Sequence, residues 1–238
     1  MQLLGTEFVI FSSITIVIIS AIVGTYLLRL WFKQSSRLLT DLPLVFAITA
    51  ISHACQTLVV ALSTLGIIEP SLDFFKLRSI IISASIIPVL GALLQIWAPR
   101  IQKYHMRLLM GVTAYWLLVV FFGTSDSFIM TLTIPLILLV GLMMMVTFII
   151  TWKTGRLKEI RSGVMVISLP VIMASQILRV PLLETSLFYV PDILLVISLI
   201  ITVFAFVKPK NKRESQKKSE EQSEKSEAPK QIEMAVEY

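Results

Sequence analysis

The chain has 238 residues, of which 56% are hydrophobic and 15% charged, and its mean hydropathy is +0.85. Soluble domains carry closer to a quarter charged residues, so composition excludes an ordinary soluble fold and points to a membrane protein. The net charge of +6 is no sign of nucleic-acid binding, because the basic residues are scattered through short loops and a tail, with no basic folded domain to present them.

Crossing a bilayer takes roughly 20 apolar residues in a helix. Seven segments meet or approach that length: Phe8–Phe32, Leu42–Ile67, Arg78–Trp97, Leu108–Gly123, Phe128–Trp152, Val164–Leu183 and Tyr189–Val207. The first is too long for a signal-peptide core and has only Glu7 as a charge before it, so it is expected to remain as a helix. The fourth is the shortest. Its flanking Tyr104, Tyr115 and Trp116 are residues that favour the membrane interface.

Basic residues are poorly translocated, so alternate loops of a multi-pass protein differ in Lys and Arg. One set of loops carries Arg29, Lys33 and Arg37, then Arg100, Lys103 and Arg107, then Lys153, Arg156, Lys158 and Arg161, and finally the start of the tail. The other set has Lys76 and Arg78, with Arg179 near a helix end, against Glu7, Glu69, Asp73, Asp126, Glu184 and Asp192. Removing the fourth segment would break this alternation. The expected architecture is therefore all-α: a polytopic bundle of seven transmembrane helices in the cell membrane, N-terminus outside and C-terminus cytoplasmic.

The loops are short, which leaves a site only within the bundle, at its mouths or on the tail. Pro88, Pro135 and Pro170 fall inside the third, fifth and sixth segments and each removes a backbone donor there. No paired Gly/Pro-interrupted helices mark the two halves of an inverted-repeat transporter.

Residues 1–207 form the expected membrane domain, and 208–238 a tail of Lys, Glu, Ser and Gln with the composition of a disordered segment. Lys208, Lys210, Lys212 and Arg213 cluster next to the membrane, where each basic residue contributes about 1 kcal/mol to attraction for anionic lipid headgroups. The more acidic distal part ends in Ile232-Glu233-Met234-Ala235-Val236-Glu237-Tyr238, a candidate docking peptide for a cytoplasmic protein partner.

Two polar stripes carry the candidate chemistry. On the second helix, Thr49, Ser52, His53, Gln56 and Ser63 recur at helical spacing. Lipid tails offer such groups no hydrogen bonds, so the stripe is expected to face other helices or a wet cavity. His53 reads either as a proton-sensing group, since imidazole titrates between pH 5 and 8, or as interhelical glue together with Ser52 and Gln56. The sixth helix repeats the pattern with Ser168, Ser175, Gln176 and Arg179. Arg179, and Arg78 at the start of the third segment, are placed to meet the outer carboxylates or lipid headgroups.

Signatures of catalysis are missing. No two carboxylates lie deep in the helices, and neither His-Glu-x-x-His spacing nor a nucleophile elbow occurs. With His53 in mid-span and His105 in a loop, a bis-histidine haem has no second ligand, so no cofactor or metal is expected. Cys55 is the only cysteine, which excludes an intrachain disulfide. Met143, Met144 and Met145 point around their helix in different directions and read as packing.

Two well-known seven-helix classes are also excluded by motif. Val190–Val207 holds no lysine for a retinal Schiff base, and Ile96-Trp97-Ala98-Pro99-Arg100 stands where G-protein-coupled receptors carry an acidic-Arg-aromatic signature. In topology alone, the arrangement is similar to the seven-helix sensory inputs of microbial histidine kinases. The leading expectation is a non-enzymatic sensor or receptor-like module coupling an intramembrane or outer-side site to a cytoplasmic partner. The alternatives are a small solute or ion transporter or channel, and an accessory subunit of a membrane complex.

Overall fold

A computed structural model describes residues 2–34, 37–38, 40–69, 71–155, 160–179 and 189–207, without the side chains of residues 2–9 and 179. Every regular element among them is helical: α1 (Gln2–Phe32), α2 (Leu42–Thr64), α3 (Leu72–Trp97), a single 3-10 turn (Pro99–Ile101), α4 (Gln102–Phe122), α5 (Asp126–Thr154), α6 (Ser162–Arg179) and α7 (Val190–Phe206). Five helices are long and apolar enough to cross a membrane, over Ile10–Phe32, Leu42–Thr64, Leu72–Trp97, Pro99–Phe122 and Asp126–Thr154. The shorter two, α6 and α7, have 18 and 17 residues and extend about 26 Å at 1.5 Å per residue.

The helices follow the hydropathy segments in number and order, but several begin earlier. At α3, Ser71 accepts a hydrogen bond from the Phe74 amide (3.3 Å) and Asp73 sits in the first turn, so capping starts the helix six residues before Arg78. Ser125 caps α5 in the same way through the Phe128 amide (3.2 Å), and that helix ends at Gly155, whose φ of +62° suits a residue without Cβ. α4 starts at Gln102 because its polar and basic first turns continue the helix beyond the apolar stretch. Its 21 residues span about 31 Å, so the segment that looked shortest is of full crossing length. Pro88, Pro135 and Pro170 lie inside α3, α5 and α6, which continue through them.

Neighbours in sequence pack side by side, α1 on α2, α2 on α3, α5 on α6 and α6 on α7, and α7 returns to α1. Direct packing of α3 on α5 closes a ring of six helices and leaves α4 on its outside, held mainly by α3. Gly24 permits the close approach of α1 to α2, since a Cβ there would stand 2.8 Å from Ile51 Cγ1.

The largest core lies towards one end, where Phe46 of α2 meets Phe148 of α5 (6.2 Å between ring centroids) and Phe206 of α7 (5.7 Å). The same end is tied by Thr40 donating to Gln95, Trp97 Nε1 to Thr147 Oγ1 (2.7 Å) and the Arg161 amide to the Ala205 carbonyl (2.9 Å). It carries Arg29, Lys33, Arg37, Arg100, Lys103, Arg107 and Lys153, and is called the basic end below. A second core, Trp116, Val119, Val120 and Ile129, joins α3, α4 and α5 towards the other end. There Lys76 Nζ donates to the Phe121 carbonyl (3.3 Å) and Ser12 Oγ to Asp192 Oδ2 (2.9 Å), among Glu69, Asp73 and Asp126. The charge alternation read from the loops is thus a separation of charge between the two ends of one bundle.

The outer face is apolar along much of its length: Phe11, Ile22, Phe121, Leu139, Ile167 and Phe204 are all exposed. Serine and threonine hydroxyls, by contrast, are among the most buried groups. That inversion of the soluble pattern is what a lipid solvent selects, and it supports a membrane protein.

Candidate functional site

Two residues of the α2 stripe, Ser52 and Gln56, are built into its contact with α3. Ser52 is buried, and its hydroxyl donates to the Ile81 carbonyl across the helix pair at 2.7 Å. Gln56, one turn further and also buried, donates from Nε2 to Ser52 Oγ at 3.3 Å. His53 is half-buried beside them, whereas Cys55 is exposed. Thr49 returns its hydroxyl to the Val45 carbonyl (2.9 Å) and so takes no part in the contact with α3.

Depth follows from these contacts. α2 and α3 run antiparallel, so Gln56, four residues beyond Ser52, lies level with Leu77 and Arg78, four and three residues before Ile81. Arg78 is therefore not at a helix start. It stands seven residues past the Ser71 cap, about 10 Å along α3, half-buried and with its Nε buried. The next residue, Ser79, is buried and accepts the indole N–H of Trp116 on both its carbonyl (3.1 Å) and its hydroxyl (3.2 Å). Trp116, 1% exposed, thus fixes α4 to α3 one residue from Arg78.

On the other side of α2, the contact of Gly24 with Ala47 and Ile51 sets the register of α1. One turn back, Ser20 comes to the depth of Ser52 and His53. It is 0% exposed and its Oγ has no hydrogen-bond partner. Sequence reasoning missed Ser20 and Ser79. The signal for Ser20 is its seven-residue spacing from Ser13, also buried, which puts two hydroxyls on one face of α1.

The stripe of α6 divides. Ser168 and Ser175 are fully buried against α7: Ser168 donates to the Ser198 carbonyl (2.9 Å) and shares a hydrogen bond with Thr202 (2.7 Å), and Ser175 donates to the Pro191 carbonyl (2.7 Å). Gln176 turns outward and is exposed, because one residue is a 100° rotation from the buried line. Arg179 is the last residue of α6, and its side chain lies outside the described residues, as do Glu184, Lys208, Lys210, Lys212 and Arg213. Asp192, in the first turn of α7, accepts from Ser12 at the rim of a shallow groove of about 200 Å³ between α1 and α7.

The structure thus joins Ser52 and Gln56 by a hydrogen bond where α2 meets α3, sets Arg78 of α3 at the depth of Gln56, keeps His53 half-buried next to Ser52 in sequence, and leaves Gln176 exposed on another helix. These groups comprise an imidazole, an amide, a guanidinium and hydroxyls. They can bind or release a proton, or hold a small polar or anionic group. Comparison finds no match for this chain among family models, curated proteins or solved structures.

Proposed function

We infer that the protein is a non-enzymatic membrane sensor: a seven-span bundle in the cell membrane, N-terminus outside and basic end in the cytoplasm, in which a stimulus at the α2–α3 site is passed to a cytoplasmic partner of the tail. The observation that carries this reading is the placement of Arg78 about two turns inside α3, level with Gln56 and close to His53 in depth. Ionisable groups inside a membrane bundle are costly, and the cost is ordinarily offset by function. Because imidazole titrates between pH 5 and 8, the proton is the first stimulus to test. Coupling has a physical route: Ser52 ties α2 to α3, and Ser79 ties α3 to α4 through Trp116. All seven helices cross in this reading, α6 and α7 by local thinning of the bilayer or tilt of their neighbours.

The test separates sensing from transport. In reconstituted vesicles, a sensor gives proton and solute flux no higher than empty vesicles. Flux that His53→Ala and Gln56→Ala reduce would replace this reading with a transporter. In cells, removing Lys208–Tyr238 should leave membrane insertion intact and abolish stimulus-dependent cross-links to the cytoplasmic partner. Cross-links that persist unchanged would sink the proposed role of the tail.

A further inference from the structure

The corner between α3 and α4 concentrates positive charge on an aromatic support. Arg100, Lys103 and Arg107 are all exposed at the basic end. Lys103 Nζ lies 4.9 Å, and the Arg107 guanidinium carbon 5.7 Å, from the centre of the Tyr104 ring, so one ring holds two cations a helical turn apart. No Asp or Glu occurs between residues 74 and 125. On the adjoining α1–α2 connection, the nearby carboxylate of Asp41 accepts the Leu38 amide (2.8 Å), and Arg37 adds a further cation. Two like charges held together without a carboxylate among them form a surface that an anion stabilises.

The corner is also braced. His105 Nε2 carries a proton, since it donates to the Ala98 carbonyl at 2.9 Å, and this joins the second turn of α4 to the end of α3. The Trp97 indole is anchored on Thr147. Around the cations, Trp97, Ile101 and Met106 expose apolar surface, at 47%, 42% and 65%. Aromatic and apolar side chains beside exposed Lys and Arg belong at the depth where acyl chains meet headgroups. A site for a soluble anion gains nothing from that apolar rim. Arginine and lysine supply the forked and point-charge donors that phosphate oxygens accept.

We propose that the α3–α4 corner binds the headgroup of an anionic phospholipid, with Lys103 and Arg107 held on Tyr104 as its main donors and Arg100 as the third cation. The site depends on the membrane location of the bundle and is independent of the sensing role, so the two fail separately.

Native mass spectrometry of the full chain in mild detergent, with phosphatidylglycerol and phosphatidylcholine as competing probes, tests it. Wild type should retain phosphatidylglycerol preferentially. The exposed triple variant R100Q/K103Q/R107Q should lose roughly 100-fold in that binding, at about fivefold per cation removed. Tyr104→Leu, which keeps every charge, should lose about two- to fivefold. The matched variant R29Q/K33Q/K153Q, with the same change of charge at the same end and none of the corner's cations, should lose much less than the corner variant. Equal losses in the two triple variants, or no loss in Tyr104→Leu, would overturn the site in favour of diffuse attraction. Displacement of the lipid by excess inorganic phosphate would overturn the lipid in favour of a soluble anion.

Discussion

The α2–α3 and α6–α7 seams use the same device and differ in what is added to it. In both, a buried serine hydroxyl donates to a carbonyl of the neighbouring helix: Ser52 to Ile81 in one, Ser168 to Ser198 and Ser175 to Pro191 in the other. Without a hydrophobic force between helices in lipid, such bonds and close packing hold a bundle together. Among the described residues, serine and threonine hydroxyls bonded to one another and to backbone join α6 to α7. Beside α2 and α3 stand an amide, an imidazole, a guanidinium and the partnerless hydroxyl of Ser20. Adhesion accounts for these bonds of the α6–α7 seam. The α2–α3 seam contains more polar chemistry than adhesion requires, and that surplus is the basis of the proposed site.

This contrast can be broken by experiment. The double substitution S168A/S175A should cost about 1–2 kcal/mol of stability, read as a lowered unfolding midpoint in detergent, and should leave any response to pH intact. A changed response with unchanged stability would show that α6–α7 is not mere glue. Ser52→Ala removes the bond to Ile81 and the acceptor of Gln56, and should cost about 1 kcal/mol while also altering the response to pH. Loss of stability alone would reduce α2–α3 to the status of the other seam. The smallest effect is expected at Ser20. Removing a buried hydroxyl that has no partner should be neutral or stabilise by up to about 1 kcal/mol, and a fall in the melting midpoint would mean that Ser20 holds a bound group.

Much of the fold was legible in the sequence, because in lipid the apolar length of a segment is itself the structural requirement. Hydropathy found the order of the helices and the alternation of charge. It misplaced the beginnings of α3, α4 and α5, where capping serines and polar first turns extend a helix without adding apolar residues. The error at α3 mattered most, since it put Arg78 at a helix mouth when Ser71 places it deeper. Periodicity put Ser52 and Gln56, one turn apart, on one line of α2, where Gln56 Nε2 donates to Ser52 Oγ. It also grouped Gln176 with Ser175, because adjacent residues differ by only 100° and a stripe does not say which neighbour it meets. Ser20 escaped notice because its one signal is a single seven-residue spacing from Ser13, which gains meaning only when the register of α1 against α2 is known.

The most direct test of the central claim uses Trp116 as a reporter, since its indole is bonded to Ser79 beside Arg78. In the full chain carrying W31F, W97F and W152F, reconstituted in lipid, the remaining tryptophan should change its emission in a single transition as the pH is varied. His53→Gln should abolish that change while the protein stays folded. A titration that is flat, or identical with and without His53, would contradict the assignment of the α2–α3 seam as a proton-sensing site.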